Sequence, residues 1–251
     1  MSKHHLPALP TDIPTLVSIS LAAFSGTPTY WPLSKSSDPS IPISQRPNHI
    51  NTLFYTRDPF TDTEVLKWQQ ERYGQPMRED ADVRIMKIVE RKGEGEGEGK
   101  EEVLAFARWW FYLTGSGEEK EKEGGEEGRE GKEKETKYPD SVRAGLVETF
   151  FGKMKRERKE IMGGRPYILL ASLATHPDHY RKGAGSMLLS WGTERADGAG
   201  LEIYLESSAA GKSLYEKHGF ETIKILETDL EKHGGQGSDK RWLMIRKPKS
   251  K

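Results

Sequence analysis

Thr175-His176-Pro177-Asp178-His179-Tyr180-Arg181-Lys182-Gly183-Ala184-Gly185-Ser186 joins an apolar run of strand length, residues 167–174, to residues 185–196, whose apolar spacing is that of a helix. A strand that turns into a helix through glycines presents its backbone amides at the turn. The glycines let the main chain approach a ligand closely, the helix directs its positive end to the same spot, and Arg181 and Lys182 add full charges. Such a turn suits a pyrophosphate. Read alone, Gly183 and Gly185 are better explained as permitting a tight strand-to-helix turn without a ligand.

Downstream of this turn, residues 201–206 alternate Ile203 and Leu205 with Glu202, Tyr204 and Glu206, the pattern of a strand. Residues 211–218 make a short helix stopped by Gly219, and 221–226 and 241–246 are two final strands. The order strand, helix, strand, helix predicts a parallel pair joined by a crossover. Upstream, a short strand is expected before a capped amphipathic helix over 12–24, and 25–47 reads as irregular. A helix follows over 62–73, then strands over 84–89 and 103–112 that form a hairpin, then a helix over 141–162 ended by Gly163-Gly164. Two stretches of Gly, Glu and Lys, 93–102 and 115–137, hold almost nothing that could be buried and are expected as solvated loops. The whole chain, 1–251, is expected to be one domain carrying these two insertions.

Composition narrows the function. Apolar residues are 34% and charged residues 31% of the chain, and the apolar deficit sits mainly in the two insertions. Lys and Arg number 39, as do Asp and Glu. With no net charge, no overall field draws the molecule to nucleic acid or an acidic membrane. The absence of cysteine excludes disulfides, thiolate nucleophiles and thiolate zinc sites, and fits an intracellular setting, here the cytoplasm with the nucleus left open. No apolar run reaches the roughly 20 residues of a bilayer span, and residues 1–10 lack the apolar core of a signal peptide.

About thirty residues after the glycine turn comes Leu214-Tyr215-Glu216-Lys217-His218-Gly219-Phe220. The two motifs, in this order and at this separation, resemble the GNAT superfamily of N-acetyltransferases. The family's Gln/Arg-x-x-Gly-x-Gly/Ala aligns with Tyr180-Arg181-Lys182-Gly183-Ala184-Gly185, Tyr180 departing from it. Met-Gly-Gly-Arg-Pro at 162–166 resembles the lead-in to this strand in members from filamentous fungi. The resemblance implies an α/β GNAT acyl-CoA N-acyltransferase fold, a mixed and mostly antiparallel sheet flanked by helices. Within it the strand over 167–175 and the strand over 201–207 splay apart, with pantetheine between them.

The same resemblance implies acetyl-CoA as co-substrate and an amine as acceptor. Arg181, Lys182, Gly183, Ala184, Gly185 and Ser186 would form the pyrophosphate turn, Leu173 and Thr175 would bond pantetheine, and an amide near Ala174 would take the thioester oxygen. Tyr215 stands where the family has a tyrosine that protonates the departing thiolate. Upstream of it Ser208 and Gly211 replace the family's Asn and Ala, which leaves open the contact expected of Ser208.

The acceptor must lose a proton before it attacks, and Glu206 is the candidate base. A solvated strand-end glutamate is the plainer account of it, and Glu202 and Tyr204 rank behind it. His176 and His179 beside Asp178 are expected as turn residues, since the loop offers no further metal ligand. Trp109 and Trp110 read as packing, and the basic run 153–159 as a solvated helix face. Two other functions stay open: a CoA-binding module without catalysis, and a protein that binds a polyanion through that basic helix.

Overall fold

The computed structural model describes residues 2–24, 53–91, 101–113 and 137–249. The irregular segment expected over 25–47, residues 93–100 of the first insertion and residues 115–136 of the second lie outside the described residues. In chain order the elements are β1 (Ser2–Pro7), α1 (Ile13–Phe24), α2 (Thr63–Glu79), β2 (Val83–Arg91), β3 (Glu101–Tyr112), α3 (Ala144–Met162), β4 (Tyr167–Thr175), α4 (Ala184–Ala199), β5 (Glu202–Ser207), α5 (Ala209–Lys217), β6 (Glu221–Asp229) and β7 (Ser238–Arg246).

The strands form one sheet of seven in the order β1-β2-β3-β4-β5-β7-β6. Every neighbouring pair is antiparallel except β4 and β5, which are parallel because α4 crosses between them. That parallel contact is short: Tyr167 pairs with Glu202, Ile168 with Ile203 and Leu169 with Tyr204. Beyond it β4 stays on β3 and β5 stays on β7, so the sheet opens between them. A bulge assists the opening. Trp109 faces Leu170 while Arg108 faces Ser172, so Ala171 is the extra residue that bends β4.

Each face of the sheet is covered. On one, α4 and α5 pack Leu188, Leu189, Ala196 and Tyr215 against Ile88, Trp109, Ile168, Ile203 and Leu205. On the other lie α1 with α2, around Leu16, Tyr73 and Phe106, and α3, around Phe150, Met154 and Tyr204. Each large apolar side chain withdrawn from water in this way contributes about 1.5–3 kcal/mol, which is why helices of modest propensity hold their places.

Several boundaries differ from expectation for identifiable reasons. β3 starts at Glu101, claiming the last two residues of the predicted loop, where Glu101 pairs with Arg91 at 2.8 Å. α2 does not end at Tyr73 but continues through Pro76 to Glu79. A proline lacks the N–H that would bond the carbonyl four residues earlier, and that carbonyl, Arg72, accepts instead from Arg108 Nη1 at 3.4 Å. Asp12 does not cap α1. Its carboxylate accepts from Leu9 N at 2.6 Å and pairs with Lys87 Nζ at 2.7 Å, anchoring the preceding 3-10 turn to β2. Asp62, in contrast, caps α2 by accepting from Glu64 N and Val65 N, and also accepts from Ser141 Oγ.

Candidate active site

At the end of β4 the chain passes through the 3-10 turn Pro177–His179 and enters α4 with two left-handed residues, Arg181 at φ 64° and Gly183 at φ 86°. Glycine at 183 makes that second conformation available without strain. No side chain caps this helix, and its first turn closes with Met187 N donating to Gly183 O at 3.1 Å. Ala184, Gly185 and Ser186 therefore start the helix with amides that have no carbonyl from a preceding turn. A Cβ on Gly185 would lie 3.2 Å from Leu214 Cδ2 and 3.5 Å from Leu173 Cδ2, so its bare backbone lets the mouth of α4 rest on the end of β4 beside Thr175.

Lys182 is less free to meet an anion than the sequence suggests. Its Nζ donates to Asp178 O at 2.8 Å and lies 3.4 Å from His179 Nδ1. Lys3, which no local pattern points to because it comes from β1, donates to the Lys182 carbonyl and adds a cation at this turn. His179 contacts Glu102 at 3.1 Å, and His176 Nδ1 accepts from Asp178 N. Ser186 Oγ lies 3.1 Å from His218 Nε2. Burial, and then Arg246 and Lys249, hold the His218 imidazole below its usual pKa.

Across the opening, β5 ends at Ser207, whose buried hydroxyl donates to Ser208 O at 2.8 Å. Ser208 is the N-cap of α5, although its own side chain caps nothing. Tyr215, 8% exposed, packs edge-on to Phe220 at 5.8 Å. Its ring lies so close to Gly211 that a Cβ there would be 2.8 Å from Tyr215 Cε2, which accounts for glycine at 211. Burial raises the Tyr215 pKa well above its ordinary value, so the phenol stays a proton donor.

Glu206 lies on the opposite face of the sheet from Tyr215, two residues past the last β4–β5 pair. It is neither solvated nor alone. Arg158 Nη1 of α3 approaches Glu206 Oε1 to 3.7 Å, and the two side chains are only 16% and 14% exposed. Burial disfavours the Arg158 charge, but Glu206 and the hydroxyls of Tyr112, Tyr167 and Tyr204 outweigh it and hold the guanidinium protonated. Tyr112 and Tyr167 stack at 4.7 Å. Tyr204 is fully buried, its pKa raised by burial and then by the Glu206 charge. Glu202, lower on the same strand, is tied to Arg165 at 2.7 Å.

The basic run 153–159 is thus not wholly a solvated face: Arg158 turns inward. The signal was present, since Arg158 continues the four-residue spacing of Phe150, Met154 and Met162, all buried. Tyr204 and Glu206 point to a helix-covered face, whereas strand alternation alone marked it as the polar side. Trp109 is fully buried, as core packing requires.

Residues 149–222, which run from α3 through both motifs into the start of β6, match the family model described as acetyltransferase (GNAT) domain. The whole structure is similar to that of the histone acetyltransferase HPA2 and related acetyltransferase from Corynebacterium glutamicum, with a TM-score of 0.51 and 18% identity, covering 100% of this chain and 99% of that one. It is also similar to Arabidopsis thaliana NAA60 in complex with a bisubstrate analogue, with a TM-score of 0.52 and 12% identity, covering 100% of both chains. At such identities the likeness shows the fold, which is the GNAT fold. The domain match supports the GNAT superfamily and, in general, acetyl transfer.

Proposed function

We propose that this protein transfers an acetyl group from acetyl-CoA to the nitrogen of an amine by direct attack. One observation carries this: the opening between β4 and β5 has uncapped helix amides at its end, a buried phenol on one face and a carboxylate on the other. The amides of Gly183 to Ser186, with Arg181 and Lys3 nearby, would hold the pyrophosphate. The β5-facing edge of β4 from Leu173 to Thr175 offers backbone groups to an extended pantetheine, and the amide near Ala174 would take the thioester oxygen. The residues present fit such a ligand, since Gly185 puts no side chain between the first amides of α4 and the end of β4, and a Cβ at Gly183 would have nothing within 4 Å.

In the reaction the amine nitrogen attacks the thioester carbonyl, forming the C–N bond. Glu206 accepts the proton the amine sheds, directly or through water. The C–S bond breaks as the carbonyl reforms, and the Tyr215 hydroxyl gives its proton to the departing sulfur. Donor and acceptor of protons thus approach the thioester from opposite faces of the sheet. Ser208, whose side-chain oxygen is not used in capping α5, would face the pantetheine end of this path.

The experiment is release of free CoA from acetyl-CoA across a panel of amines, beside a measurement of acetyl-CoA binding. Turnover of at least one amine class supports acetyl transfer. Binding of acetyl-CoA with no turnover on any class would select a non-catalytic CoA module of the same fold, and an absence of binding would overturn the site.

A further inference from the structure

The first turn of α4 is tied to α5 by a side-chain contact, His218 Nε2 to Ser186 Oγ at 3.1 Å. Ser186 follows Ala184 and Gly185 at the start of α4, and His218 is the C-cap of α5; both are half-buried. The His218 carbonyl accepts from Arg246 Nε at 3.1 Å, so β7 holds the residue in place independently of its ring. The charged groups acting on the imidazole are Arg246 of β7 and Lys249 beyond it, both cations. The Asp197 carboxylate of α4 is turned to Arg246 Nη1 and Nη2 and to the Lys249 amide. Burial first, and then these two cations, hold the ring below its ordinary pKa.

A serine hydroxyl carries one proton. If Ser186 spends it on His218, only oxygen lone pairs are left for the mouth of α4; if His218 donates instead, the proton is available to an anion there. An imidazolium must donate through Nε2, whereas a neutral ring can accept. Negative charge on the first amides of α4 offsets Arg246 and Lys249 and so favours the charged ring. From this geometry we propose, resting on the acetyl-transfer function above, that His218 is a positioning residue for the pyrophosphate of the coenzyme. On binding it takes up a proton and, donating to Ser186 Oγ, turns the Ser186 hydroxyl to the phosphate. The free ring titrates below ~6.5 and the liganded ring above the free one. Affinity is therefore highest below the free value, falls as pH rises from the free value to the liganded one, and is level beyond it.

The test titrates the full chain with dephospho-CoA, which keeps the pyrophosphate but lacks the monoester phosphate, whose own second pKa near ~6 would add a proton of its own. Calorimetry in buffers of different ionisation enthalpy reads the protons taken up, and Kd is followed from about pH 5.5 to about pH 8. The parent should take up a fraction of a proton near pH 6.5 and bind about 10-fold more weakly at the upper end, the change that a one-unit rise in pKa produces. His218→Gln, which keeps a donor of similar reach that does not titrate, should show no uptake and a flat profile. Ser186→Ala should lose the gain in affinity at low pH. Binding retained at pH 8 shows that each variant is folded. Binding of dephospho-CoA without proton uptake, or a pH profile that persists in His218→Gln or Ser186→Ala, overturns the proposal while leaving acetyl transfer intact. Binding of acetyl-CoA but not of dephospho-CoA puts the affinity on the monoester phosphate and also overturns it. If neither binds, the site itself fails and this proposal with it.

Discussion

Tyr215 is shielded by Phe220 and packed over Gly211, and its burial leaves it protonated well above the ordinary range of a phenol. Tyr215→Phe should lower kcat for CoA release by about 10-fold, below the ~100-fold at which acid catalysis usually begins, because a thiol of pKa near ~8.5 already leaves readily. Acetyl-CoA binding, read by calorimetry, should stay within about twofold of the parent, since only a hydroxyl is removed. A second residue tests the frame of the site. Asp197 takes two hydrogen bonds from Arg246, at 2.7 and 2.8 Å, and these first of all hold its carboxyl below the usual pKa. Its stabilisation is fully present above the unfolded value near ~3.9 and is lost as pH falls through the lower folded value. Asp197→Asn should therefore cost about 1–2 kcal/mol at pH 7 by urea unfolding, the partial exposure of Asp197 being allowed for, with the difference closing as pH falls below the unfolded value of ~3.9. At this scale the glycine turn into α4 and the helix that carries Tyr215 were legible as structure because their motif positions are local. Lys3 at the turn, 179 residues from its partner, was not.

Among the elements, α4 lies against β3 at a close crossing. A Cβ on Gly192 would fall 2.2 Å from Trp109 Cη2, so Gly192→Ala must push the helix off the sheet or turn the indole. The expected loss is about 1–3 kcal/mol, read as a lower urea midpoint with an unchanged slope. Trp109→Phe in the same chain should recover part of it. The apolar periodicity of α3, β4, α4 and β5 made these elements legible, along with the parallel crossover. Two features were hidden for physical reasons. The Ala171 bulge has no glycine or proline to mark it, because it depends on which β3 residue each β4 residue faces. The passage of α2 through Pro76 depends on a guanidinium from β3 reaching the orphaned carbonyl of Arg72, a tertiary contact that outweighs a local stop signal.

For the molecule as a whole, ligand binding and stability should be linked. A ligand that binds the folded chain at 100 times its Kd adds about 2.7 kcal/mol, equivalent to a rise of about 5–10 °C in Tm for a chain of this size. Acetyl-CoA should produce such a rise, and Gly183→Asp should abolish it by placing a carboxylate against the helix amides. Asp tolerates the left-handed backbone better than most residues, so the unliganded variant should melt within a few degrees of the parent. Gly183→Asn, with the same shape and no charge, should keep most of the shift. The seven-stranded sheet was legible in kind, but the small extent of its central parallel contact was not.

That contact divides the sheet into β1-β2-β3-β4 and β5-β7-β6, joined through three residue pairs. Each half therefore presents an open strand edge toward the other at the centre of the molecule, the kind of backbone that elsewhere recruits a neighbouring chain into unwanted pairing. A molecule lying along both edges would seal them as an extra strand does. The availability of that ligand would then set how long the chain survives unaggregated, so that the fate of this protein in a cell would follow the local supply of its own substrate.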